Sequence, residues 1–133
     1  MTLKEYFESK EGKGILSSAN SDGMVTSAIY SKPHVFTDGT IAFVMRKRLT
    51  YENLKSNPYA SYMFIEEGHG YKGIRLLLKK IKEDTDSELI DKMKRRHLTP
   101  EEDEAKGPKF LMHFRVDTIL PLIGEGNTGI EIT

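Results

Sequence analysis

The fold is constrained most strongly by residues 37–58, TDGTIAFVMRKRLTYENLKSNP, because a strand pattern changes into a helix pattern within them. Asp38 and Gly39 predict a tight turn, since glycine supplies the positive φ that a hairpin turn requires. Residues 40–45 then alternate as a buried or half-buried strand does. A short amphipathic helix is predicted from Thr50 until Asn57-Pro58 ends it. The segment therefore places the end of a strand directly before the start of a helix.

Three cations, Arg46, Lys47 and Arg48, fill the turn between this strand and this helix. The start of a helix attracts anions through its free N–H groups and its dipole. Together these features predict a phosphate site. A solvated basic turn is the alternative interpretation of the same three residues.

The rest of the chain continues the strand pattern, with short apolar segments separated by glycine, proline and aspartate turns. In addition to residues 40–45, the predicted strands are 15–20, 24–31, 34–36, 59–66, 74–83 and 109–120. Helices are predicted near residues 3–7, where apolar side chains have helical spacing, and from a capping-box pattern at residues 85–88 to about Arg96. Hairpin-linked strands with two or three peripheral helices predict a mainly β protein, an antiparallel barrel.

Composition limits the partners that we expect. The 133 residues suit a single domain, 1–133, and the formal net charge is zero. We therefore expect no nucleic-acid or membrane partner. There is no cysteine, and the N-terminal segment lacks the apolar stretch of a signal peptide, so the expected location is cytoplasmic.

The ordered set of segments resembles the pyridoxamine 5'-phosphate oxidase-related flavoproteins, which include the small FMN-binding proteins. The similarity covers roughly residues 10–124. It is most telling at residues 44–58, where a strand and a basic turn lead into N-L-x-x-N-P. The other similar segments are GILSSANSDGMVTSAIY, GIRLLLKKIKED and HFRVDTILPLIG. The resemblance implies the split β-barrel fold and a homodimer that binds one FMN per subunit in clefts at its interface.

The resemblance also implies which residues hold the cofactor. The phosphate contacts are Arg46, Lys47, Arg48 and Thr50, next to Met45 at the end of the strand. The flavin ring lies beside the second strand, whose backbone faces the polar edge of the ring, at Ser27, Ala28, Ile29 and Tyr30. Many members carry a cation where this chain has Leu49 or Thr50, so either Arg46 or Arg48 supplies it.

The implied function is that of an FMN-dependent oxidoreductase with a small-molecule redox partner. The substrate-phosphate motif of true pyridoxamine phosphate oxidases is not recognisable in this chain, so the resemblance does not carry that specific activity over. A non-catalytic flavin carrier or electron-transfer protein is one alternative. A barrel that binds heme or another flavin is a second alternative.

Residues 66–73, EEGHGYKG, form the second candidate part of the site. Three glycines give this loop backbone freedom next to His69 and Tyr71. We expect a loop that closes over the flavin cleft, from the same subunit or from its neighbour, with an ordinary hairpin connector as the alternative.

Histidine and methionine positions indicate no separate site. The four histidines have no metal-ligand spacing, so no metal site is expected. The strand methionines are interpreted as core residues: Met24, Met45, Met63 and Met112.

Overall fold

The computed structural model describes residues 1–85, 87–93, 102 and 107–133, and these form one antiparallel sheet with three helices. The strands are β1 (Gly12–Ala19), β2 (Val25–Ile29), β3 (His34–Val35), β4 (Ile41–Arg46), β5 (Tyr59–Glu66), β6 (Gly73–Asp84) and β7 (Lys109–Pro121). The helices are α1 (Leu3–Ser9), α2 (Leu49–Ser56) and α3 (Ser87–Met93). The predicted continuation to Arg96 and most of the acidic run at 101–104 lie outside the described residues.

The seven strands follow the order β2-β1-β5-β6-β7-β4-β3. The two edge strands, β2 and β3, are consecutive in the chain and are joined by residues 30–33 alone. In a flat sheet, strands ~4.8 Å apart would separate these edges by roughly 29 Å. Five residue steps span at most roughly 18 Å. The sheet must therefore curl, which confirms the predicted barrel architecture.

The core fills the concave side of this sheet. Its central rings are Phe43, Tyr62, Phe64 and Phe114, all at most 2% exposed. Helix α1 covers one end of the core with the buried side chains that its spacing predicted: Leu3, Tyr6 and Phe7. A second, smaller cluster lies between α3 and the opposite face of β4 and β7, and its buried members are Ala42, Ile90 and Leu111.

Two strands differ from the sequence prediction by more than one residue at a boundary. Strand β1 begins at Gly12, so Gly12 and Gly14 belong to a strand. At Gly14 a Cβ atom would overlap the Tyr62 hydroxyl and the Tyr30 carbonyl, so this close approach requires glycine. Strand β2 is shorter than predicted, and Met24 precedes it with 67% of its surface exposed. The prediction that Met24 is a core residue is therefore wrong.

The C-terminal tail packs on its own chain. The Leu3 N–H donates to the Glu131 carbonyl at 2.7 Å, and the Glu131 N–H donates to the Met1 carbonyl at 3.0 Å. Ile130 contacts the main core. These contacts hold the C-terminal tail against the residues that begin α1. Among the described residues, no helix combines the length and the apolar character needed to cross a membrane.

Candidate functional site

The first component of the site is the open edge of β2. The Tyr30 N–H donates to the Gly14 carbonyl at 3.0 Å, so even-numbered residues of β2 form the hydrogen-bonded pairs with β1. The backbone groups of Val25, Ser27 and Ile29 consequently point away from β1. In the described sheet no strand lies on that side. Strand β2 therefore presents a row of backbone donors and acceptors, as the predicted role beside a ligand requires.

The side chains of β2 divide between the two faces of the sheet. Val25 and Ile29 are 68% and 75% exposed on the convex face, where the Ser27 hydroxyl lies 2.8 Å from the Ser17 hydroxyl. Ala28 and Tyr30 are half-buried toward the core. The four predicted ring contacts therefore differ in what they expose. Ser27 and Ile29 present side chains on the convex face and backbone groups on the free edge, whereas Ala28 and Tyr30 point toward the core.

Tyr30 connects the end of β2 to the start of α2. Its ring packs edge-on against Phe43 with 5.9 Å between centroids, and its carbonyl accepts a hydrogen bond from the Tyr62 hydroxyl at 3.1 Å. Burial raises the pKa of the Tyr30 phenol, whereas a hydrogen bond with Thr50 and the charge of Arg48 act to lower it. The Tyr30 phenol thus lies by Thr50, and the Arg48 charge is close enough to act on it.

Helix α2 begins there without a side-chain cap. Arg48 is the N-cap residue, and its side chain makes no capping hydrogen bond. Helix α1 provides a contrast, since Thr2 and Glu5 form a complete capping box at its start. The first-turn N–H groups of α2 therefore lack the cap that commonly satisfies such groups. An uncapped helix start next to a guanidinium suits an anion.

The other members of the basic turn point elsewhere. The Arg46 guanidinium donates from Nη1 to the Gly107 carbonyl at 2.7 Å, at the start of β7. Lys47 Nζ lies 5.8 Å from the centroid of the Phe110 ring. The Met45 side chain is 1% exposed and belongs to the core. Of the two arginines that the sequence left open, the geometry favours Arg48 as the cation beside Thr50.

The loop at residues 66–73 joins β5 to β6, and one of its contacts lies at the end of β7 opposite Arg46. The Leu122 N–H donates to the Gly73 carbonyl, which holds the loop at the C-terminal end of β7. Arg46 pairs with Lys109 at the N-terminal end of β7. At its other end the loop begins at Glu66, which pairs with Gly12 on β1, two residues from the Gly14 that accepts from Tyr30. His69 and Tyr71 are exposed in this loop.

A site residue that the sequence analysis did not single out is Asn53, in the middle of α2. It is 4% exposed, and its amide donates to the hydroxyls of Ser18 and Thr26. The sequence signal for Asn53 was its position as the first asparagine of N-L-x-x-N-P, next to Leu54. An asparagine beside an apolar helix residue can be buried, and a buried amide requires hydrogen-bond partners.

Histidines of the described residues form no metal centre. No group of three or more histidine, aspartate or glutamate side chains in this part of the chain is arranged to hold a metal ion. His113 is buried, lies 2.8 Å from an Asp84 carboxylate oxygen and stacks on Phe36.

Solved structures with the same fold identify the architecture. An FMN-binding protein from Syntrophomonas wolfei superposes with a TM-score of 0.73 and 21% identity, over 94% of this chain and 86% of that one. An F420 reductase superposes with a TM-score of 0.70 and 14% identity, over 90% and 97%. A candidate pyridoxamine 5'-phosphate oxidase from Lactobacillus delbrueckii superposes with a TM-score of 0.63 and 13% identity, over 90% and 93%.

Sequence comparison adds no closer relation, since no protein-family model and no curated protein matches the chain. The structural similarity extends over nearly the whole chain at low identity. It confirms, at the level of the fold, the resemblance drawn from the sequence: this chain has the split-barrel fold of the FMN-binding and pyridoxamine 5'-phosphate oxidase-like proteins.

Proposed function

We propose that this protein binds FMN as a cytoplasmic homodimer and transfers electrons between the flavin and a small-molecule partner. The observation that carries the proposal is the start of α2, which has Arg48 at its N-cap and no side-chain cap and lies by Tyr30 at the end of the open-edged strand β2. One end of this arrangement suits a phosphate. The other end suits a planar ring with hydrogen-bonding groups on its rim.

The phosphate end is supported by its donors. A guanidinium binds phosphate oxygens with strong, charge-assisted hydrogen bonds, and the free N–H groups of a helix start add further donors. Thr50 contributes a hydroxyl, and the resemblance implies a cation at the position of Leu49 or Thr50 in many members. Arg48, two residues before Thr50 in the chain, supplies the positive charge instead.

The ring end is supported by the free edge of β2. The pyrimidine side of a flavin carries both donors and acceptors, and the backbone of Ser27 and Ile29 offers both on the open edge. Bound there, the flavin would supply the redox chemistry, and the protein would supply orientation and electrostatics.

The homodimer is supported by the convex face of the sheet formed by β2, β1, β5 and β6. Large apolar side chains are exposed on this face, at 42–75% of their surface: Val25, Ile29, Tyr59 and Leu77. Between them lie small hydroxyl side chains in register across the strands: Ser17, Ser27 and Ser61. A second copy covers such a patch most simply through two-fold symmetry. The face also borders the free edge of β2, so a partner would close one side of the ring site.

A deazaflavin is the second candidate cofactor, because an F420 reductase is among the proteins with this fold. F420 also carries a phosphate, so the α2 start would serve both cofactors. Titration of the protein with FMN and F420 separates the two, and turnover with reduced nicotinamide separates an enzyme from a flavin carrier.

The phosphate assignment is tested by Arg48→Ala, with Arg46→Ala as the matched control. We expect Arg48→Ala to weaken FMN binding roughly ten- to hundredfold, since a hydrogen bond to a charged group contributes ~1.5–3 kcal/mol. Riboflavin, which lacks the phosphate, should lose little. Arg46→Ala should change the ratio of the two affinities less, because Arg46 donates to Gly107. Equal losses of FMN and riboflavin in Arg48→Ala would remove the assignment.

A further inference from the structure

We propose that Asn53 is a positioning residue that holds the phosphate end of the site in register with β2. The inference rests on the proposed FMN function, and it concerns a residue to which neither the sequence pattern nor the fold assigns a role. Asn53 does not contact the proposed ligand groups. It would act by fixing the place of α2 on the β1–β2 hairpin.

The contacts of Asn53 reach two strands at once. Its Nδ2 donates to Ser18 Oγ on β1 and to Thr26 Oγ1 on β2, both at 3.1 Å. Asn53 is 4% exposed and Ser18 is 2% exposed, so water does not compete freely for these hydrogen bonds. One amide thus ties the helix to both strands of the hairpin in a protected environment.

Helix α2 lies along the hairpin through polar contacts at successive turns. Thr50 meets Tyr30 at the end of β2, and Asn53 meets Thr26 one helical turn later. At the far end, Asn57 Nδ2 donates to the Asn20 carbonyl at the longer distance of 3.4 Å. Because Asn53 is the central contact and the nearer of the two asparagines to Thr50, it controls the helix start more directly than Asn57 does.

The type of interaction explains why an amide is used there. Leu54 also packs into the core from α2, but the hydrophobic effect is non-directional and does not by itself select one position along the helix axis. Hydrogen bonds have directional limits, and two bonds to different strands fix one position. A displacement of about 1 Å is enough to degrade binding by preorganised groups.

The two ends of the site should therefore respond differently to the loss of Asn53. The free edge of β2 is set by its pairing with β1, which remains in place. The α2 start would lose its register with that edge. FMN binding uses both ends, and riboflavin binding uses the β2 edge without the phosphate end.

The experiment compares Asn53→Ala with Asn57→Ala by fluorescence titration of FMN and riboflavin. We expect Asn53→Ala to weaken FMN binding at least tenfold and riboflavin binding by no more than about twofold. Asn57→Ala should leave the ratio of the two affinities unchanged, although it removes an amide from the same helix. Thr26→Val, which keeps the shape of the side chain and removes one acceptor, should lower the ratio by a smaller factor.

The outcomes distinguish the two proposals. A wild-type protein that binds FMN no better than riboflavin overturns the phosphate assignment, and the role of Asn53 with it. A wild-type preference for FMN that survives in Asn53→Ala overturns the positioning role alone. If Asn53→Ala does not fold, Thr26→Val decides, and an unchanged ratio in that variant contradicts the proposal.

Discussion

Two arginines of one turn lie in different surroundings, which the local sequence pattern did not predict. Arg46 donates to the carbonyl of Gly107, which is 61 positions away in the chain. Arg48 is the N-cap residue of α2, and its charge acts on the Tyr30 phenol. The basic turn itself was predictable, because charge and helix signals are adjacent in sequence. The different contacts of Arg46 and Arg48 were not predictable, because the Arg46 contact depends on where β7 begins.

His34 is a residue whose protonation opposes the fold. Its pKa is lowered, chiefly by burial and then by the charges of Lys4, His113 and Lys92. The folded state therefore binds a proton at His34 less readily than the unfolded chain does. Stability contributed by neutral His34 is present above the unfolded pKa of about 6.5 and is lost as the pH falls through that value toward the folded pKa.

We predict that His34→Gln reduces the loss of stability between pH 7.5 and about pH 5.5. Urea unfolding at several pH values measures this change. Asp38, which lies on the following turn and has a lowered pKa through hydrogen bonds with Thr40, titrates at more acidic pH and offers the control Asp38→Asn. A pH dependence that is identical in His34→Gln and wild type would contradict the prediction.

At the scale of the element, contiguous patterns were predicted best. The strand at 41–46, the turn and the helix from Leu49 agree with the sequence analysis to within about a residue. The start of β1 was missed because glycine usually ends regular structure. Gly14 is needed in the strand because Tyr62 and Tyr30, from other elements, approach its backbone. Such contacts are invisible in a local sequence window.

The loop at residues 66–73 is an element whose position was also not predictable. Its glycines indicated freedom, and Gly68 and Gly70 do have positive φ. Its attachment beside the end of β7, through the Leu122 N–H and the Gly73 carbonyl, depends on strand pairing that loop composition does not report.

We predict that the double variant His69→Ala, Tyr71→Ala changes the absorption spectrum or the reduction rate of bound flavin. Tyr71 is 79% exposed, so the fold should remain intact. Stopped-flow reduction measures the rate, and Glu67→Ala in the same loop is the control. If the spectrum, FMN affinity and reduction rate are all unchanged, the loop is a connector only.

At the scale of the whole molecule, the curled sheet explains why the site needs more than one element. The barrel brings the two ends of the strand order together and leaves β2 with an open edge. Alternating strands made this architecture predictable. The extent of the apolar convex face was not predictable from any single strand, because it depends on the register of four strands.

We predict that Ile29→Asp converts a homodimer into a folded monomer. Ile29 is 75% exposed, so its replacement should cost the isolated subunit little, whereas a buried, unpaired carboxylate at an interface is strongly unfavourable. Sedimentation velocity at micromolar concentration measures the change. Ile123→Asp is the matched control, since Ile123 is 66% exposed in the segment after β7. A wild-type monomer with flavin bound would contradict the assembly.

In the proposed complex, the start of α2 and the edge of β2 together hold FMN. The most direct measurement is the visible spectrum of the purified wild-type protein, followed by chromatography of the cofactor released on denaturation. We predict flavin absorption bands and a released compound that co-migrates with FMN. A colourless protein that binds neither FMN nor F420 on addition, or one that releases heme, would contradict flavin binding at this site.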